Sequence, residues 1–308
     1  VRLPDTPVAF LGPEGTFTAL AASAAAPDRS RLPLTTIPDV VDVVRSGEVQ
    51  IGVVPIENSI EGAVNLTLDT LAFGDPGVYI RSEITVPITM NLLARPGVEL
   101  DTLKEVRSHV MAIPQCREWL NTNLPDIHLR TTASTARAAE EAAESDGTIA
   151  ALGTTMAAER FGLDVLVPDI HDFDGNTTRF VSLGRRMTGP TGADKTSMVI
   201  FLGEDRPGLL MQVLDEFASR GINLVKIESR PTKQKLGEYC MFIDAHGHIT
   251  EARMAEALRS VHRHVDEVKI LGSYARADGV EDAKELADSE DAYAGAGLWF
   301  RQLLDRIE

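Results

Sequence analysis

The stretch that most constrains the fold is Val-Gln-Ile-Gly-Val-Val-Pro at 49–55. It is almost continuously apolar over the length of one strand. Such a run reads as a parallel strand covered by helices on both faces. A polar cluster follows at once, Ile56-Glu57-Asn58-Ser59-Ile60-Glu61-Gly62. Open α/β sheets bind their ligands at the carboxyl ends of buried parallel strands. Asn58 and Ser59 are uncharged donors suited to carboxylate oxygens, although capping the helix over 64–73 is an equally open use for them. Glu57 reads as structural, because a bare carboxylate repels an anionic ligand.

The same strand–turn–helix grammar recurs along the chain. Apolar residues 8–11 run into Gly12-Pro13-Glu14-Gly15-Thr16-Phe17-Thr18 and an Ala-rich helix. Helix-start amides with the Thr16 and Thr18 hydroxyls favour an anion, while a plain capped βα turn explains the stretch as well. The loop is neither a Walker loop nor GxGxxG. A second strand at 34–37 leads into a helix from Pro38 that Gly47 ends. The extended stretch 78–93, rich in β-branched residues and interrupted by Pro87, reads as the crossing into a second lobe. There a strand ending in Ser108 and His109 precedes a helix holding Gln115, Cys116 and Trp119. His109 reads as a structural donor and Cys116 as core packing. Strand 128–131, a helix capped by Ser134, strand 148–152, a helix start at Gly153-Thr154-Thr155 and strand 163–167 complete that lobe. A polar loop then returns through Asn176-Thr177-Thr178-Arg179-Phe180. Thr178 and Arg179 sit at the mouth of strand 180–183. A hydroxyl beside a guanidinium suits an anionic substrate with an oxygen leaving group; a strand-start Thr and a surface Arg is the plainer alternative. Two α/β lobes joined by two crossings, with a cleft between them, is the expected architecture.

The pattern changes after a Gly/Pro-bearing linker at 187–196. Residues 197–274 read strand, helix, strand, strand, helix, strand, the ferredoxin-like βαββαβ plan. So small a sheet leaves an edge to cover, and pairing with a second copy is expected. The tail from 275 is acidic and then apolar, which suggests a short amphipathic helix docking on this protein or a partner. The formal net charge of −16 argues against nucleic-acid or acidic-membrane binding. The two cysteines, Cys116 and Cys240, show no metal-ligand spacing and read as buried or semi-buried free thiols of a cytoplasmic protein. No signal peptide or membrane span is expected, and no metal.

Four motifs in order, Gly12 to Thr18, Pro55 to Gly62, Ser108-His109 with Gln115-Cys116, and Thr178-Arg179-Phe180, resemble those of the prephenate dehydratase family. The C-terminal domain resembles an ACT regulatory domain, with Pro207-Gly208-Leu209-Leu210 and Glu228-Ser229-Arg230-Pro231 at its two effector motifs. The resemblance covers roughly residues 7–274. Two departures are visible: Leu209 stands where the family usually has Ala, and Val-Met-Ala-Ile-Pro at 110–114 replaces an Ala-rich or Gln-bearing segment.

The resemblance implies a type 2 periplasmic-binding-protein-like catalytic domain over 1–186. Its lobe one would be about 1–83 and 170–186, and its lobe two about 84–169. It implies conversion of prephenate to phenylpyruvate with loss of carbon dioxide and water, without a cofactor. Thr178 would protonate or hydrogen-bond the leaving oxygen, and Arg179 would pair with a carboxylate or brace the loop. Thr16, Asn58, Ser59, Ser108, Gln115 and Thr154 would orient the carboxylates. Phenylalanine would bind Gly208, Leu209 and Leu210 near Asn223 and Glu228 to Pro231 at a subunit interface of a homodimer or homotetramer. Arogenate dehydratase, a non-catalytic small-anion binder and a pure amino-acid sensor are the rival readings.

Overall fold

A computed structural model describes residues 6–203, 206–233, 235, 237–281 and 286–307. Parts of the sequence reading at 1–5, at the 233–237 turn and at 282–285 in the tail lie outside the described residues. The chain forms two compact units, one running up to Thr70 and over Ile84–Leu183, the other comprising Leu71–Glu83 and the chain from Gly184 onward. The segment 71–83, expected in lobe one, groups with the second unit. Among the described residues no helix is long and apolar enough to cross a membrane.

The first unit holds two sheets. In one, Val8–Leu11 runs parallel to both Arg31–Leu34 and Ile51–Asn58. The return strand Thr177–Gly184 lies antiparallel on the far side of Ile51–Asn58. Val8, Phe10, Val53 and Val54 are fully buried, as an apolar central strand requires. Helix Ile37–Ser46 packs so closely that a Cβ on Gly52 would lie 2.7 Å from Val44 Cγ2. A Thr36/Asp39 capping box starts that helix, and Gly47 in the left-handed region ends it.

The other sheet has the order Asp164–Val167, Asn91–Ala94, Ile149–Gly153, Glu105–His109, His128–Thr132. Its core includes Leu92, Val106, Cys116, Leu120 and Leu152, and Phe17 packs against it as well as against the first sheet's core. The chain crosses between lobes twice, and the crossings are stitched together. Ile88 donates its N–H to Asn176 O at 2.8 Å, and Ile170 donates to Met90 O at 2.8 Å.

Two local expectations change. The stretch 78–93 is two strands, Tyr79–Pro87 and Asn91–Ala94, because the chain leaves one sheet before joining another. Gln115 and Cys116 lie in the tight turn Ile113–Cys116, and the α-helix proper is Arg117–Asn123. Pro114 fits the first turn of that segment, and the Asp172 carboxylate takes the Glu118 and Trp119 amides at 2.8 and 3.2 Å.

In the second unit the sheet order is Leu224–Pro231, Tyr239–His246, Asp194–Phe201, Glu267–Ala275, with helices Leu209–Ala218 and Ala252–His262. This is the βαββαβ plan. The start of Tyr79–Pro87 pairs parallel to Glu267–Ala275, Ile80 beside Gly272. A Cβ there would fall 2.3 Å from Ile80 O, so glycine is required. The first strand begins at Asp194, within the stretch read as linker, and the Asp194 carboxylate accepts from the Thr191 and Gly192 amides at 2.7 and 2.9 Å. The tail forms helix Glu290–Leu304, capped by Ser289. Leu298, Trp299, Phe300, Leu303 and Leu304 on it are exposed.

Candidate active site

The return strand brings the Thr-Arg motif onto the carboxyl end of Ile51–Asn58. In the ladder Thr178 stands opposite Asn58 and Arg179 opposite Glu57. Asn58 Oδ1 accepts the Ile60 and Glu61 amides, both at 2.9 Å, as the chain turns after the strand. That fixes the side-chain amide, and Nδ2 is left to donate to Thr178 Oγ1 at 2.9 Å and to Asn176 Oδ1 at 2.8 Å. Asn176 Nδ2 donates in turn to Gln115 Oε1 at 2.8 Å. Gln115 belongs to lobe two and Asn58 to lobe one, so one line of amides spans both. Arg179 Nη2 meets Glu57 Oε2 at 3.0 Å. Glu57 thus has a counter-ion, in keeping with its structural reading.

The other predicted hydroxyls are placed differently. Thr16 caps the first helix, accepting from Ala19 N and donating to Pro13 O at 2.9 Å. Ser108 is fully buried and donates to Leu152 O at 2.9 Å. Thr154 caps helix Thr155–Phe161 and donates to Gly15 O at 2.9 Å, tying the lobes together. Ser59 accepts from Thr177 N at 3.0 Å and donates to Gly175 O at 3.4 Å. Each of these hydroxyl hydrogens goes to a backbone carbonyl. Thr178 differs from this group: its Oγ1 receives from Asn58 Nδ2, and among the described residues it donates to no partner. The expected ring of donating hydroxyls is therefore narrower than the sequence suggests. Helix caps and strand ends use the same residue types as anion sites do.

Asn176 is the residue that sequence reasoning missed as a contact, although it stands in the Thr-Arg motif. It is 4 % exposed, and its role lies in bridging Asn58 and Gln115, 118 and 61 positions before it, which no local pattern reveals. His109 accepts from Met111 N at 3.4 Å, and burial lowers its pKa. Burial, with the Asp172 charge behind it, pushes the Cys116 thiol up to about 12. The Cys116 thiol is therefore not ionised at neutral pH and is no nucleophile there. Among the described residues no group of three or more His, Cys, Asp or Glu could hold a metal.

The effector motifs also divide. Gly208 has φ +85° and starts helix Leu209–Ala218. Leu209 is 3 % exposed and belongs to the domain core with Val213 and Phe217. Leu210 on the next position is exposed, as are Asn223 and Ser229. Glu228 stands 3.5 Å from Lys226 and 3.6 Å from Arg230.

A two-lobed α/β domain whose strand ends offer neutral amides and a hydroxyl, followed by a ferredoxin-like domain, is the class these features define. The family description "Prephenate dehydratase" matches residues 8–188, and "ACT domain" matches 197–263. The chain belongs to the prephenate dehydratase family. It is 41% identical over 299 residues to a prephenate dehydratase of Amycolatopsis methanolica, covering 95% of this chain and 96% of that one. It is 42% identical over 271 residues to a bifunctional chorismate mutase/prephenate dehydratase of Aquifex aeolicus, covering 88% of this chain and 74% of that one. Among solved structures, a prephenate dehydratase from Arthrobacter aurescens in complex with L-Phe matches with a TM-score of 0.90 and 44% identity, over 97% of this chain and 100% of that one.

Proposed function

We propose that this chain is a carbon–oxygen lyase that converts prephenate to phenylpyruvate, carbon dioxide and water. The observation that carries the reading is the Thr178 hydroxyl. Asn58 occupies its oxygen, so its hydrogen is available to a leaving oxygen. Prephenate is a dianion with a ring carboxylate and a ring hydroxyl. Breaking the carboxylate C–C bond releases carbon dioxide and leaves its electron pair in the ring. That pair expels the hydroxyl, which takes one proton and departs as water, and the ring becomes aromatic. The chemical drive therefore lies in the substrate, and the protein holds the dianion and assists the departing hydroxide.

Preorganised neutral donors perform that task, each contributing on the order of 3 kcal/mol when aimed at developing charge. Thr178 donates to the leaving oxygen directly or through water, since a Thr hydroxyl is a weak acid. Gln115, at the other end of the line of amides, serves a carboxylate, while Asn58 gives both of its amide hydrogens to Asn176 and Thr178 and orients the threonine. Arg179, held by Glu57, braces the loop.

Residues 197–274 form the regulatory domain in this reading, joined to the catalytic domain by 187–196. Phenylalanine is the proposed effector, supported by the L-Phe complex of the Arthrobacter aurescens relative. Binding at Leu210, Asn223 and Glu228 to Pro231 would shift a homo-oligomer between two states.

The test is phenylpyruvate formation from prephenate in buffer without added metal, with and without phenylalanine, for wild type and Thr178→Ala. Turnover lost in the variant and altered by phenylalanine supports both halves of the reading. Turnover of arogenate in place of prephenate overturns the substrate assignment.

A further inference from the structure

The line Gln115–Asn176–Asn58–Thr178 has a direction, and two backbone amides set it. Ile60 and Glu61 donate to Asn58 Oδ1, so Asn58 Nδ2 faces Thr178 and Asn176 as a donor. The Asn176 atom that meets it must be the acceptor Oδ1. Its other terminal atom, Nδ2, is then a donor, and the Gln115 atom it meets at 2.8 Å must be the acceptor Oε1. Both ends of the line are left with hydrogens to offer, the amide nitrogen of Gln115 in lobe two and the hydroxyl of Thr178 in lobe one.

We propose that Asn176 is a positioning residue that keeps Gln115 and Thr178 presented to the anionic substrate as donors. The inference rests on the dehydratase reading. Asn176 is 4 % exposed, and its backbone carbonyl is held by Ile88 N at 2.8 Å, so its side chain has little freedom to turn over. An anion meeting an acceptor oxygen at position 115 would be repelled. The amide must therefore be locked before substrate arrives, and Asn176 locks it.

The variant that separates this role from packing is Asn176→Asp, nearly identical in shape. Its carboxylate still accepts from Asn58 but cannot donate to Gln115. The Gln115 amide then turns over and presents its oxygen to the substrate. Protonating the new carboxylate restores a donor and the original orientation. The expected result is kcat/KM for prephenate about 10–100-fold below wild type at about pH 8, carried mainly by KM, with the gap closing toward about pH 5.5. Asn176→Ala, which lacks a titratable group, should be impaired with no such closing. The charged groups on the same elements are Glu57 with Arg179, Glu61, His171, Asp172 and Asp174. They are the same in wild type and variant, so the quantity read is the ratio of variant to wild type.

A ratio that does not change with pH, or an Asn176→Asp enzyme indistinguishable from wild type, would overturn the inference. If Asn176→Asp does not fold, Gln115→Glu tests the same polarity from the other end. Its carboxylate accepts from Asn176 but cannot donate to an anion, so it should show the same pH-dependent recovery, and a wild-type KM at about pH 8 would overturn the inference. A wild-type protein inactive on prephenate would overturn the dehydratase reading and this one with it. An active wild type with a pH-independent ratio overturns this one alone.

Discussion

Asn58 Nδ2 donates to Thr178 Oγ1 across the antiparallel ladder at 2.9 Å, and in doing so fixes which way the threonine hydroxyl can give its hydrogen. Thr178→Val keeps the shape and removes that hydrogen. Turnover of prephenate should fall about 10²–10³-fold with little change in KM, because the bond is made to charge that develops during reaction. Thr178→Ser should retain much of the activity. Steady-state kinetics on both variants check this, and full turnover by Thr178→Val would remove Thr178 from the chemistry.

Thr154 makes a contrasting case. Its hydroxyl caps a helix and reaches Gly15 O in the other lobe, both inside a buried site. Thr154→Val should cost about 1–2 kcal/mol of stability, for the lost cap and the unsatisfied carbonyl. Urea unfolding would measure it. A large rise in KM with unchanged stability would instead mean that Thr154 touches the substrate.

The βα repeats, the change of pattern near residue 190 and the Thr-Arg motif were all legible in the sequence, because period and turn chemistry are local. The identity of the free donor was not. Thr16, Ser108, Thr154 and Thr178 are alike as residues at strand and helix ends. Only the fold decides that three of them give their hydrogen to Pro13, Leu152 and Gly15, while the fourth receives one from Asn58. Asn176 was hidden for the same reason, since its two partners lie 118 and 61 residues away. The 78–93 stretch was legible as a crossing, and its first strand ends at Pro87, the residue that interrupts it in the sequence; its strand partners, such as Gly272 beside Ile80, lie too far along the chain to be read from it.

Leu209 and Leu210 adjoin in sequence and separate in structure. Leu209 is packed into the core of the C-terminal domain, while Leu210 is 39 % exposed. Leu209→Ala should therefore lower stability by about 2–4 kcal/mol, the usual cost of a cavity in a core. Leu210→Ala should leave stability nearly unchanged and weaken the response to phenylalanine. Thermal melts with and without phenylalanine distinguish the two, and the reverse assignment would place Leu209 at the effector site.

Cys116 and Cys240 are both fully buried and unbridged. Burial holds the Cys116 thiol at about 12, so almost none is thiolate at neutral pH. Neither cysteine should react with a thiol reagent in the native protein, and both should react at once in denaturant. A fast native reaction would show that the lobe-two core opens.

His109 gives the acid side of the stability curve a specific contribution. Burial holds its pKa below the ordinary 6.5 in the folded protein. Between the folded value and 6.5 the unfolded chain binds more protons than the native one, so stability rises with pH across that window. The contribution is present above 6.5 and is lost as pH falls through the folded value. His109→Gln keeps a polar side chain without the titration. The difference in melting temperature between wild type and His109→Gln should be constant above neutrality and should shift in favour of the variant as pH falls below 6.5. A difference that stays constant into the acid range would mean that His109 takes up its proton as easily in the fold as in the open chain.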